Sequence, residues 1–347
     1  MLAQAAPSSA NPNMIRLGYT SCASCHLSPQ GSGLLNVYGQ GVAGAQSLFA
    51  REYEKVEDER GPRVMFDVRA LGLRNLTEGG TDSTSFTVLG LGSVRASDAH
   101  RFTYTVSLST PGITVAGANA PVNATLPKFV WQYRVKPGLE VQAGRDALPT
   151  GIGLSDVQAF VRGATNAGAP ASPSQVKAFW WTNRFEVTPY AFGPSGNETT
   201  SAAREWGGGV LAGVNLNKRA VIGISGLDGH GSTFDRRTLG AYARLGFGKW
   251  GVLAEHQVID RSTTATTGTV AGHTEIFVAP REWLMATLVA GELQVYTPTS
   301  TTTVRLAPNV QVRVSENLLV SFTSRDTFTP AGRTRTYTFL MILKTYN

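Results

Sequence analysis

The chain has 347 residues and a mass of 36.9 kDa, long enough for two average domains or one large all-β domain. Charged residues make up only 16%, below the quarter usual in soluble globular proteins, and 38 glycines argue against a charge-laced helical enzyme. No run approaches the roughly 18–20 apolar residues of a membrane-spanning helix, so a helical membrane protein is excluded, while a mean hydropathy of −0.07 still permits strands that hide polar residues on an inner face.

The net charge of +7 and pI near 9.5 would suit a nucleic-acid partner only if Lys and Arg gathered on one face. They are scattered, and the densest run, 333–335, is broken by Thr334, so no nucleic-acid partner is expected. At the amino terminus Ala3-Gln4-Ala5 fits the small-residue site that closes a secretory signal peptide, although the basic start and apolar core are missing. Residues 1–13, which end in a Pro-, Ser- and Asn-rich stretch, read as a leader or signal-peptide remnant.

The only two cysteines are Cys22 and Cys25, and His26 follows at once, giving Cys-Ala-Ser-Cys-His. This is the c-type haem attachment motif. Two intervening residues let both sulfurs reach the two vinyl groups of one porphyrin, and the adjacent imidazole can then ligate the iron from below. Three alternatives fit less well. A thioredoxin-like dithiol needs a βαβ context, and none follows; a structural zinc site needs four ligands, and only three candidates are local; a disulfide leaves His26 without a role. The motif therefore predicts one haem c, held covalently by Cys22 and Cys25 with His26 as proximal iron ligand.

For the opposite face of the iron the nearest downstream methionine is Met65. Strand phase puts it on one face with Asp67 and Arg69, opposite Val64, Phe66 and Val68. Met65 is thus a candidate distal ligand; the alternatives are a side chain filling a gap at the base of a strand, or a sixth position left open or to water. His100, His230, His256 and His273 fall at or near predicted loops and strand ends, where a lone histidine is usually solvated. After the motif, 29–33 reads as a turn, 34–44 as Gly-broken apolar sequence, 45–56 as a short helix and 54–60 as a charged linker. The haem segment, residues 14–60, is too small for a free-standing cytochrome core, so it must take shielding from the rest of the chain.

Residues 61–347 read as a β-barrel, since from Arg63 to the end the apolar period is two. In 102–108 one face is wholly apolar and the other wholly hydroxylated; 129–135 repeats this with Val130 as the exception, and 304–314 puts Arg305, Asn309, Gln311 and Arg313 on one side. Such an interior is not a dry sandwich core. Pro308 within that stretch predicts a local break in hydrogen bonding. The alternating stretches lie near 63–76, 84–96, 101–110, 125–135, 139–148, 174–182, 184–193 and 205–216, and then near 219–228, 236–247, 250–259, 272–279, 283–297, 302–314, 318–327 and 334–346. That even number, about sixteen, fits a closed antiparallel transmembrane β-barrel, and strands of about 9–11 residues suffice to cross when tilted.

Connections alternate between short ones, which read as periplasmic turns, and longer ones rich in Gly, Ser, Thr and Pro, notably 149–173, 193–204 and 260–271. The loop 149–173 is long enough to fold back into the lumen, and 151–154 and 157–161 are too apolar for a fully wet loop. Trp250 and Trp283 follow short turns, whereas Tyr190, Trp206 and Tyr296 border long loops, as two interfacial girdles would. The expected place is the bacterial outer membrane.

One haem motif ahead of such a barrel resembles the fused monohaem cytochrome-porin family of iron-oxidising bacteria. In specific residues the likeness is confined to Cys22-Ala23-Ser24-Cys25-His26, Pro29 and Leu35-Asn36-Val37-Tyr38-Gly39, the last similar to that family's Leu-Asn-aromatic-Gly stretch. The lead-in Ile15-Arg16-Leu17-Gly18-Tyr19 departs from the usual family pattern, and Asn347 follows Tyr346 where barrels commonly end on an aromatic.

The resemblance implies an outer-membrane electron conduit, an electron carrier rather than an enzyme, with ferrous-iron oxidation as the one catalytic outcome left open. Partners would be a periplasmic soluble cytochrome or other redox protein, extracellular cytochromes or Fe(II), and the lipid bilayer. A single haem does not bridge a core about 30 Å thick, so the donor must enter the lumen or partner haems must complete the path. The alternative, from another class, is a porin-like channel or scaffold whose haem segment plugs the pore or docks partner cytochromes.

Overall fold

The computed structural model describes residues 12–31, 33–50, 63–77, 82–110, 123–153, 159–164, 172–196, 204–262, 266–296 and 300–346. Its first half contains β1 (Val64–Thr77), β2 (Ser83–Arg95), β3 (His100–Ser109), β4 (Asn123–Lys136), β5 (Leu139–Arg145), β6 (Ser174–Trp181), β7 (Phe185–Gly193) and β8 (Glu205–Asn217). The second half adds β9 (Ala220–Gly231), β10 (Asp235–Phe247), β11 (Trp250–Ser262), β12 (Thr266–Arg281), β13 (Leu284–Tyr296), β14 (Ser300–Arg313), β15 (Leu318–Thr329) and β16 (Gly332–Tyr346). Each strand pairs antiparallel with its sequence neighbours, and β1 pairs with β16 from Asp67 opposite Tyr346 to Thr77 opposite Thr336, so the sheet closes on itself. Closure removes the unpaired edges that a membrane core could not hydrate.

Alternation sets the two faces. On β3, Phe102, Val106 and Leu108 point outward, while Thr103, Thr105 and Ser107 are buried inside. The outer belt continues with Phe66, Phe86, Phe129, Val176, Ile224, Leu239, Val258, Ile276, Leu288, Phe322 and Phe339, all exposed large apolar side chains. Val130 faces inward, as the exception in its stretch. Pro308 has the predicted effect: β14 and β15 pair at Leu306 with Asp326 and again at Asn309 with Thr323, and the register skips the two positions between.

Four readings are corrected. The helix lies at Val37–Ala45 (α1), where Asn36 caps it by accepting from the Gly39 amide, an effect that outweighs three glycines; the remainder of the stretch read as helical, 51–56, lies outside the described residues. The loop read at 260–271 is mostly strand, since β11 runs on to Ser262 and β12 starts at Thr266. Tyr190 is buried inside with Leu148, Phe192 and Leu227, so the far girdle keeps Trp206 and Tyr296 only. His256 and His273 sit within β11 and β12 rather than near their ends, one outward and one buried inward.

Both ends of the described wall, at Val64 and Tyr346, lie with the short turns, and the longer connections lie at the other end. The described parts of the segment between β5 and β6, 146–153 and 159–164, turn into the lumen, as their apolar residues predict; 154–158, which include the rest of that reading, lie outside the described residues. Ile152, Ala159 and Val161 are buried among Val221, Leu253, Ile259, Ala271 and Phe277 of the inner wall, and a helical turn, α2 (Phe160–Ala164), places Phe160 beneath the Arg305 guanidinium at 4.1 Å. At the head of this segment Asp146 pairs with Lys177 at 2.8 Å and Lys128 at 3.2 Å. Burial alone would raise the Asp146 carboxyl, but the two ammonium groups override it and hold it at about 2.

Candidate haem-attachment site

The amino-terminal segment lies inside the barrel, held by three anchors. A 3-10 turn at Pro12–Leu17 buries Ile15 against Val221, Leu253 and Phe277, and Arg16 pairs with Glu282 in the β12–β13 turn at 2.6 Å. Gly246 on β10 makes this approach feasible, because a Cβ there would collide with the Ile15–Arg16 backbone. This turn includes Pro12 and Asn13, at the end of the stretch read as leader, and the Asn13 amide donates to Met285 Sδ at 2.9 Å.

In the second anchor Leu27 and Leu34 join Met65, Leu71, Leu89, Leu91, Leu319 and Ile342 in an apolar cluster. Beside it Arg69, buried and paired with Asp67 at 2.6 Å, donates through Nη2 to the Gly33 carbonyl at 2.9 Å. The third anchor follows α1: the Leu48 amide donates to the Arg313 carbonyl at 2.9 Å, and Arg313 Nη1 donates to the Ala43 carbonyl at 3.2 Å.

Between the first two anchors lies the motif. Cys22–Ser24 form a single 3-10 turn, capped by the Ser21 hydroxyl, and the amides of Cys25 and His26 both donate to the Cys22 carbonyl, at 3.2 and 3.0 Å. Asn36 then clamps the turn from the far side. Its backbone amide donates to the Cys25 carbonyl at 2.9 Å, its side-chain amide to Ser24 at 3.2 Å, and its Oδ1 accepts from Gly39 at 2.8 Å. Gly39 packs so tightly that a Cβ there would strike the Cys25 carbonyl. The Leu-Asn-Val-Tyr-Gly stretch thus has a physical role in this chain: it shapes the Cys-Ala-Ser-Cys-His backbone. The hydroxyls of Tyr19 and Tyr38 hydrogen-bond across the same region.

His26 is only 6% exposed and is bridged through its backbone to Leu35. It lines a cavity of about 1120 Å³ at the short-turn end, together with Tyr19, Arg134, Glu140, Trp181, Arg184 and Lys218. A smaller cavity of about 50 Å³, also touched by Ser21, Pro29 and Trp181, holds Cys22 with Arg162, Glu186 and Arg244. Arg244 pairs with Glu186 at 2.6 Å. Both cysteines are free thiols. Burial pushes the Cys22 thiol up, and burial followed by the neighbouring Cys22 pushes Cys25 to about 11. Thiols that stay protonated at neutral pH lack the lowered pKa of a catalytic dithiol.

The donor set matches the chemistry of a covalently held porphyrin, two thiols and an imidazole from one short stretch; His26 borders a cavity larger than the roughly 300–1000 Å³ usual for small-ligand sites, while Cys22 borders the smaller one. Met65 faces inward as read and packs in the leucine cluster that holds Leu27, the residue after His26. Sequence reading missed Arg244, Glu186 and Arg162. Inward strand phase was the available signal for the first two, but nothing local tells which strands across the lumen they face.

No protein-family model and no curated protein matches this chain. Among solved structures, OmpT of Vibrio cholerae in its trimer form is similar with a TM-score of 0.62 at 8% identity, over 81% of this chain and 99% of that one. OmpF of Salmonella typhi, in complex with daunomycin, gives a TM-score of 0.61 at 10% identity over 81% and 97%. The fold is that of a bacterial outer-membrane β-barrel. OprB of Pseudomonas putida, in its high-pH structure, adds a TM-score of 0.59 at 10% identity over 81% and 94%. At these identities the likeness carries architecture only. With the apolar outer belt, that architecture puts the wall against lipid and the short turns on the periplasmic side.

Proposed function

We propose that the chain is an outer-membrane electron conduit that carries one haem c on Cys22, Cys25 and His26 and passes electrons between an extracellular donor or acceptor and a soluble periplasmic redox protein. The observation that carries this reading is the clamped Cys-Ala-Ser-Cys-His turn, with His26 on the wall of the large periplasmic-end cavity. Its residues resemble those of the fused monohaem cytochrome-porin family, and the proposal puts the chain there. The haem, when bound, supplies a one-electron ferric–ferrous couple. Cys22 and Cys25 hold it by thioethers and His26 offers an imidazole nitrogen to the iron; Asn36 and Gly39 fix the turn that presents all three. His26 itself is almost wholly buried, and the cavity it borders leaves a periplasmic approach. In each cycle one electron leaves a donor, Fe(II) or an extracellular cytochrome, and one reaches the acceptor.

A second reading is a porin-like channel or scaffold whose amino-terminal segment is a gate. The outer-membrane barrel architecture shared with OmpF and OprB, and a separate segment seated in the lumen by two apolar patches and a handful of polar contacts, favour it. Proteoliposomes of the purified protein, oriented with periplasmic turns inward and loaded with a soluble redox acceptor, separate the two. The conduit reading expects a covalent haemochrome spectrum and reduction of the enclosed acceptor by external Fe(II). Free passage of small solutes with a haem that external reductant never reaches would establish the channel instead.

A further inference from the structure

The charges at the two ends of the barrel differ in kind. At the loop end they are mixed and paired: Arg333 and Arg335 with Asp326, Arg237 with Asp228, and His230 between Asp228 and Asp235. At the turn end exposed cations recur around the ring. Arg134 and Lys136 end β4 just before the β4–β5 turn, Arg184 lies in the β6–β7 turn, Lys218 and Arg219 in the β8–β9 turn, and Lys249 in the β10–β11 turn. Among the described residues, none of these six has a carboxylate at ion-pair distance in the structure, and Glu282, the acid of the adjoining turn, is engaged by Arg16. Arg134, Arg184 and Lys218 also line the cavity that His26 lines, three cations against one carboxylate there, Glu140. The positive field is therefore concentrated over the opening that leads to the candidate haem site, and like charges focused around a low-dielectric cavity steer opposite charge into it.

We infer that this cationic sector, from the β4–β5 turn to the β10–β11 turn, is the docking surface for a soluble periplasmic redox protein that presents an acidic face around its own cofactor. The inference deepens the proposed function and rests on it for the partner's redox character. Three cations line the cavity wall itself, which favours a partner seated over the opening above a lipid surface beside the barrel. Docking there brings the partner's cofactor to the wall nearest His26, and rim charges of this kind act chiefly on association rate and salt dependence.

The test uses the full-length holoprotein in phosphatidylcholine nanodiscs and, as probe, a fluorescently labelled acidic c-type cytochrome, with the same cytochrome after amidation of its carboxylates as control. The acidic probe should bind, its association should slow steeply as salt rises from about 0.02 to 0.3 M because exposed charges are screened over about 10 Å at 0.1 M, and the amidated probe should not bind. Lys136→Glu with Arg219→Glu, beside the cavity but not lining it, should weaken binding roughly tenfold or more, whereas Arg237→Glu at the other end should not. Equal binding of both probes, or unchanged affinity in the double variant with its barrel intact by heat-modifiable electrophoresis, overturns the inference. So does a double variant that loses only adhesion to phosphatidylglycerol vesicles, which would make the sector a lipid contact. Haem content is read separately: a protein without covalent haem that still binds the probe through these residues sinks the conduit reading and keeps the docking surface.

Discussion

The wall and the amino-terminal segment of this molecule are specified in opposite ways. The wall rests on repetition: each strand presents apolar residues to lipid and polar ones inward, and no single position decides closure. The segment inside rests on single contacts, among them Asn36 on the motif carbonyls, Arg69 on Gly33 and Arg16 on Glu282. A redundant frame tolerates change, so chemistry that needs fixed geometry can be assigned to a short, individually anchored insert. The two regions should accordingly fail separately.

The sharpest separation comes from Cys22→Ala with Cys25→Ala. The double variant should lose the covalent haemochrome spectrum entirely while its barrel migrates as folded in heat-modifiable electrophoresis, and His26→Ala should retain covalent haem but change its axial spectrum. Loss of the folded band in either variant would show that the wall depends on the insert.

Next in size is Arg69→Met, at the seam between the two regions. Asp67, fully buried on β1, would lose its guanidinium partner, and removing one member of a buried pair typically costs about 3–5 kcal/mol. The Gly33 carbonyl would lose its donor in the same step. Urea unfolding in lipid vesicles, followed by tryptophan fluorescence, should show a clear drop in midpoint; a change below about 1 kcal/mol would mean that the pair contributes little beyond an apolar substitute.

A pH titration tests the inward loop against the wall. The Asp146 carboxyl is lowered from 3.8 to about 2 in the fold, so its contribution is fully present above its unfolded value and is lost as pH falls from about 4 to about 2. The shift corresponds to about 2 kcal/mol. Once the carboxyl is neutral, Lys128 and Lys177 face each other across the head of the loop. Single-channel conductance in planar bilayers should rise across that window, and Asp146→Asn should show the raised level at neutral pH. A flat profile between pH 4 and 2 would place the loop's retention in the apolar contacts of Ile152 and Val161.

Much of the wall was legible because a barrel strand repeats one simple rule. Boundaries agree to within a few residues except on β12, where Thr- and Gly-rich sequence at 266–271 hides strand behind loop composition. Tyr190 was misplaced because composition near a loop signals an interface, whereas its strand phase, shared with Phe192, turns it inward. The motif was legible through its spacing, since Cys22, Cys25 and His26 are local in sequence. Arg244 and Glu186, which sit beside Cys22, were not, because they meet it only through the way the insert crosses the lumen. Helix α1 was missed for a related reason: propensity counted Gly39, Gly41 and Gly44 against it, while the cap at Asn36 and the contact of Gly39 with the Cys25 carbonyl made glycine necessary.

That last contact yields the smallest effect and the most selective one. Asn36→Ala removes the cap of α1 and the side-chain donor to the Ser24 carbonyl but leaves the backbone bond from residue 36 to Cys25, so the loss should be about 1 kcal/mol, typical for a cap. Spread over the whole barrel this is small, and the unfolding midpoint should barely move. Concentrated on one turn it shifts the Cys22–Ser24 geometry that attachment of both thioethers requires, so covalent haem per folded barrel should fall several-fold. Asn36→Asp, which keeps the cap's acceptor for the Gly39 amide but not the donor, should fall between the two. If haem yield follows barrel stability rather than the integrity of this turn, the insert is not specified separately from the wall, and the contrast between the two regions fails at its finest point.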